Sequence, residues 1–322
     1  MITIVLVGRS LVMRINAAIS VDKLKVCLMQ PKETYMYLVN NASEDCIIGC
    51  KVLSNEGYRL IFVQEEEETI TAVLMVADVG GEIKLGTFVF NGSRKYDGKC
   101  FFTYENAALY RHYLKLGDGV RHNMVDCLLP VIEDLGLNFN NVTECEIAFD
   151  TSINYVKKLR ALIKDTQNYD MYLNGKKVSE KETLNGYGEY YSRTRERLSR
   201  MPTLYFSQSK STDMELRVYD KAKELKENSP QKKDIYEEWL GWKRTDKVYR
   251  VEVVLHNSNI RDFFERNRLQ PQTEYGEHDA FLYLVGLPQF LYAVFCDSTD
   301  RLVYFRQKHT REKISVIDVV GI

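Results

Sequence analysis

Four stretches of this chain alternate apolar and polar residues, and a period of two admits an extended strand and little else. They are residues 144–150, 203–207, 215–221 and 250–256. Alternate side chains of a strand leave on opposite faces. Cys145, Ile147, Phe149, Leu204, Phe206, Leu216, Val218, Val251, Val253 and Leu255 are therefore expected on one buried side. The other side collects Glu146, Asp150, Arg217, Tyr219, Lys221, Arg250, Glu252 and His256. In one shared sheet, that side presents carboxylates, cations and a tyrosine on a common surface. Carboxylates on neighbouring strands repel unless something positive stands between them, and a divalent cation is the simplest such charge.

The rest of the composition narrows the field. The chain has 322 residues, 45% of them hydrophobic, enough to bury one large core or two modest ones. Its 44 basic residues face 45 acidic ones, so nucleic-acid binding must come from local patches rather than from overall charge. The 21 tyrosines suit stacking or hydrogen-bonding surfaces, although composition alone also accounts for them. Seven cysteines are spaced irregularly, with no CxxC pair and no histidine cluster beside them, which argues against a zinc site or a disulfide framework. Reduced thiols in a bacterial cytoplasm are expected. The opening apolar run, residues 1–7, is too short to span a membrane and is followed by Arg9 and Arg14. Met13 is an alternative start, since regular patterning begins after it.

Three consecutive regions are expected: a β-rich part over 1–101, a core over 102–256 and a helical part over 257–322. In the first, residues 36–39, 58–62, 72–76 and 87–90 read as strands of an antiparallel meander, with the acidic run 65–68 and Gly80-Gly81 as connections. Residues 105–136 follow helical spacing, broken near Gly117 and Gly119. After Asp150, Thr151 or Ser152 is placed to cap a helix carrying Val156, Leu159, Leu162 and Ile163. Residues 168–202 are polar. Their later part interleaves Tyr187, Tyr190 and Tyr191 with Arg193, Arg195, Arg197 and Arg200, a mixture that suits single-stranded nucleic acid and equally a solvated loop. Past His256, residues 259–264, 281–285 and 290–295 read as helices. A basic tail of Arg306, Lys308, His309, Arg311 and Lys313 follows.

A tyrosine on a cationic strand face is a candidate nucleophile. A phenol of pKa ~10 needs a base or a neighbouring cation before it attacks phosphorus. Arg217 and Lys221 lie two residues either side of Tyr219 and are expected on its face. A divalent ion held by Glu146, Asp150 or Glu252 would polarise a phosphodiester, and carboxylates suit Mg2+ or Mn2+. Taken singly, each residue also fits ordinary packing or a solvated sheet face.

The strings 203–211 (TLYFSQSKS), 216–224 (LRVYDKAKE) and 249–253 (YRVEV) resemble the plasmid and phage replication initiation factors of the Rep_trans type. These are rolling-circle initiators whose pattern runs approximately T-x-Y-x-G-S-x-x-S, L-R-x-Y-[DE]-K and R-x-E. Residues 144–150 (ECEIAFD) look like that family's R-[IV]-D-x-A-x-D strand. Glu146 stands where the family usually has aspartate, Glu144 where it has a basic residue, and Gln208 where it has glycine. The related His-hydrophobic-His metal motif does not occur.

The resemblance implies an α+β fold, a central antiparallel sheet flanked by helices. It implies Tyr219 as the nucleophile that nicks and rejoins origin DNA, with Arg217 and Lys221 binding phosphate. Glu146, Asp150 and Glu252 become the ligands of Mg2+ or Mn2+. Lys210 and Arg250 join Arg193, Arg195, Arg197 and Arg200 as DNA-contacting cations, Arg250 also supporting the acidic set. The expected partners are a single-stranded or cruciform nick site, a host helicase and a second copy of the chain, with no membrane. A conjugal relaxase, a hydrolase acting through water and a non-cutting DNA-binding regulator are the alternatives. The helical C-terminal part and its basic tail are expected to read the origin.

Overall fold

The computed structural model describes residues 3–8, 11–66, 68–78, 81–92, 98–114, 124–179, 183–186, 189–192, 202–207, 214–232, 234, 236–237, 243, 247–270 and 276–321. In chain order, a hairpin of β1 (Thr3–Gly8) and β2 (Leu11–Met29) leads to helix α1 (Lys32–Asn41). A meander follows: β3 (Ser43–Asp45), β4 (Cys50–Asn55), β5 (Tyr58–Glu66), β6 (Thr69–Asp78), β7 (Gly81–Asn91) and β8 (Lys99–Tyr104). Helices α2 (Asn106–Leu114) and α3 (Met124–Asp134) precede the long strand β9 (Asn138–Thr151), and α4 (Tyr155–Lys164) comes next. Then come β10 (Tyr169–Leu173), β11 (Lys176–Lys177), β12 (Thr183–Gly186), β13 (Glu189–Ser192), β14 (Thr203–Phe206) and β15 (Glu215–Asp220). Helix α5 (Lys221–Asn228), strand β16 (Tyr249–His256) and helices α6 (Asn257–Arg266), α7 (Glu277–Leu284) and α8 (Pro288–Leu302) lead to a closing hairpin, β17 (Val303–Gln307) and β18 (Lys313–Ser315).

The chain divides into two compact units, one built from residues 1–20, 146–263 and 287–322, the other from 21–145 and 264–286. The strands β2 and β9 each pass from one unit into the other. Both units pair antiparallel strands and add helices, so the fold class is the expected α+β.

In the unit of residues 21–145 the hydrogen-bonded order is β9-β2-β8-β7-β6-β5-β4-β3. Its core is aromatic: Phe88 stacks on Phe90 with centroids 4.8 Å apart and meets Phe102 at 4.5 Å. Gly86 makes room for that ring, because a Cβ there would come within 2.4 Å of both the Phe102 ring and the Thr103 carbonyl. Residues 36–39, expected as a strand, lie in α1. Pro31 starts that helix, only Thr34 and Leu38 are buried at helical spacing, and Met36, Tyr37 and Val39 face solvent. A short apolar run has no period long enough to separate the two structures.

In the other unit the order is β14-β15-β16-β9. The whole expected apolar side, from Cys145 to Leu255, is buried. Helices α4 and α8 cover it, and Phe149 contacts Tyr155 of α4 and Tyr292 and Phe295 of α8. Helix α4 buries Val156, Leu159, Leu162 and Ile163 as its spacing requires, but its cap is Asn154, whose side chain accepts from the Lys157 amide. Thr151 instead accepts from the amide of Ile153. The stretch after residue 168 is not loop throughout. Asn174 and Gly175, both at positive φ (48° and 76°), turn β10 into β11, the backbone signature of a tight hairpin. The basic tail is the β17–β18 hairpin, and its strands join β10 and β11 in a second sheet, ordered β11-β10-β17-β18. Among the described residues the free thiols include Cys27, Cys100 and Cys145, and no helix is long and apolar enough to cross a membrane.

Candidate functional site

The sheet face opposite α4 and α8 carries the polar side chains. Register fixes their neighbours: Arg217 is opposite Glu252, and Tyr219 is opposite Arg250 on one side and Thr203 on the other. Side chains directly across antiparallel strands lie within reach of each other. The Tyr219 hydroxyl donates to Glu252 Oε2 over 3.0 Å, one step diagonally along the sheet. Arg217 Nη1 donates to Glu252 Oε1 at 3.0 Å and to Glu146 Oε1 at 3.4 Å, while its Nε donates to Glu215. One oxygen each of Glu146 and Glu252 lie within 4.8 Å of each other.

This face is not solvated as an outer sheet face usually is. Glu146 is 8% exposed and Glu252 2%, so two carboxylates sit close together with little water between them. Such a pair is stable only with positive charge at hand, and Arg217 supplies it. Burial pulls the Arg217 guanidinium down, but Glu252, Glu146 and Glu215 override it and hold the group above its ordinary value. It stays charged at any pH at which the protein folds. The donor set, two nearly buried carboxylates already sharing one cation, is of the kind that Mg2+ or Mn2+ takes.

Asp150 and Lys221 have other surroundings than the alternation predicts. Asp150 is clamped by Arg250, whose Nε and Nη2 donate to its two oxygens at 2.7 and 2.8 Å. Both residues are buried, so Arg250 is shielded from any phosphate; its Nη1 lies 3.6 Å from Glu252 Oε2. Lys221 is not a strand residue. The strand ends at Asp220, whose carboxylate accepts from the Lys223 amide and caps α5, so Lys221 opens the helix. Its ammonium meets Glu224 at 2.8 Å and lies over the rings of Tyr236 (5.2 Å) and Tyr219 (5.8 Å).

No protein-family model matches the chain, and the sequence of no curated protein matches it. Among solved structures, it is similar to a rolling circle replication initiator protein from Geobacillus stearothermophilus. The likeness has a TM-score of 0.40 and 12% identity over 92% of this chain and 89% of that one.

Glu215 and Tyr236 also belong to this cluster, though neither was expected there. Glu215 is one strand period before Arg217, a spacing that could have flagged it as the guanidinium's third anchor. Tyr236 is buried over Lys221 and Arg250 (5.7 Å), and nothing in its local sequence signals that. His256 closes β16 and its amide donates to Asn259, as a strand-end residue does. Arg193, Arg195, Arg197, Arg200 and Lys210 lie outside the described residues.

Proposed function

We propose that this chain nicks and rejoins DNA through a covalent phosphotyrosine on Tyr219, as an initiator of rolling-circle replication. The observation that carries the reading is the 3.0 Å hydrogen bond from the Tyr219 hydroxyl to Glu252, beside a guanidinium shared by Glu252 and Glu146. The motifs around these residues, which resemble the Rep_trans initiators, agree with it. The Tyr219 proton passes to Glu252 Oε2, Oη attacks phosphorus, and the P–O bond to the 3′ oxygen breaks. That oxygen leaves as a hydroxyl after taking a proton back, and a later hydroxyl reverses the step. Arg217 faces the phosphate charge from the same strand. Glu146 and Glu252 would hold Mg2+ or Mn2+, which supplies polarisation of the phosphoryl oxygens. Asp150 acts one step further out, by fixing Arg250 against Glu252.

The test uses labelled single strands tiling the DNA around the protein's own gene, incubated with Mg2+ and then denatured. A protein–DNA adduct is expected with the native chain and none with Tyr219→Phe. An adduct that survives Tyr219→Phe moves the nucleophile elsewhere, and cleavage without any adduct supports hydrolysis by water. A second reading, a DNA-binding protein that does not cut, is favoured by Arg217 already bridging the two carboxylates. It predicts binding with neither adduct nor cleavage.

A further inference from the structure

The small sheet of β11, β10, β17 and β18 has one face in the core and one in solvent. Met171, Leu173, Val303, Phe305 and Ile314 are buried. The alternate positions face outward and carry Tyr172 and Tyr304, directly opposite each other across β10 and β17. Their rings are parallel within 5°, with centroids 4.8 Å apart, and both are partly buried, neither wholly covered. The Arg306 guanidinium lies 5.6 Å from the Tyr172 ring centre and 5.8 Å from that of Tyr304, and the Lys313 ammonium lies 4.7 Å over Tyr304.

We propose that this face binds single-stranded DNA, bases extending the tyrosine pile and phosphates meeting the cations around it. Any base has a π face that continues a stack of parallel rings, and neighbouring cations follow the backbone, so such a surface is tolerant of sequence. The charge fits. Lys177 and Lys308 share the single carboxylate of Asp170 at 3.0 and 3.7 Å, and Lys313 shares Asp300 at 3.9 Å. Arg306 adds a fourth cation beside the ring pair, in a chain whose formal net charge is −1. Exposed ion pairs of this kind are weak enough for phosphate to displace them. Duplex DNA keeps its bases stacked inside and offers this pile nothing. The proposal rests on the DNA reading of the Tyr219 site and adds a strand-holding surface to it.

Fluorescence anisotropy with a labelled thirty-nucleotide oligo-dT, and with a duplex of equal length, tests it. The native chain binds the single strand more weakly as salt rises. The doubles Tyr172→Leu/Tyr304→Leu and Arg306→Gln/Lys313→Gln each weaken that binding about ten-fold or more and leave duplex binding unchanged. Lys51→Gln, an exposed cation paired with Glu65, serves as the charge control and binds as the native chain does. Since a cross-strand aromatic pair also steadies a sheet, the cation double and a direct map stand beside the tyrosine double. A 5-iododeoxyuridine strand cross-linked to the native chain should mark peptides from 169–177 or 303–315. Doubles that bind like the native chain, equal losses for duplex, or cross-links only elsewhere overturn the face and leave the nicking reading intact. A native chain that binds neither probe also overturns the face, while the nicking reading stands or falls on the adduct test.

Discussion

Arg217 is the residue on which the candidate chemistry turns, because three glutamates hold it and two of them are the proposed ion ligands. It competes with any metal for the Glu146–Glu252 pair. Removing it in Arg217→Gln should tighten Mn2+ binding measured by titration calorimetry, while Glu146→Gln or Glu252→Gln weakens it. Affinity unchanged in Glu252→Gln would clear that residue of the metal role. Glu252 also receives the Tyr219 proton in the proposed step, so the same variant should lose about 100-fold or more in nicking rate, read from single-turnover adduct formation, with DNA binding retained. These polar positions were legible in the sequence because alternation alone sends them to one face. Which carboxylate meets which cation was not. Asp150 and Glu252 look alike in sequence, and only the pairing of β9 with β16, a hundred residues apart, gives Asp150 to Arg250.

At the scale of elements, β9 and β16 are buried on both faces where they carry the site, which makes their ion pair costly to break. Asp150→Asn leaves the Arg250 guanidinium without its bidentate partner in a dry environment and should lower stability by about 3–5 kcal/mol in urea unfolding. Asn154→Ala removes the cap of α4 and should cost only about 1 kcal/mol, which separates loss of a helix end from loss of a buried charge partner. The strands with clean alternation were readable, as were the helices α4, α6 and α8, whose apolar residues recur at helical spacing. Residues 36–39 misled because four apolar side chains in a row have no period. Lys221 misled because Asp220 ends a strand and caps a helix in one residue, so the alternation stops a step before the motif does.

For the whole molecule, the tyrosines make an alkaline limit. Burial is the main cause that raises Tyr58 to about 12, with Asp134 adding to it and the Asn55 hydrogen bond opposing it. Burial likewise raises Tyr155 and Tyr292. A raised phenol keeps its proton in the folded state after the unfolded chain has lost it. Its contribution is therefore whole below about pH 10 and declines above that, for Tyr58 until about 12. Unfolding free energy measured in urea should fall between those values, and less steeply in Tyr58→Phe. The division into two interleaved units was beyond the sequence, since local pattern says nothing about which distant stretches meet. It has a genetic consequence. The stretch 146–263 holds Glu146, Tyr219 and Glu252, yet the aromatic floor beneath them includes Tyr292 and Phe295 from further along. A gene fragment cut to that stretch would be translated into a chain missing its own floor, so the proposed chemistry calls for residues 287–322 to be encoded along with it.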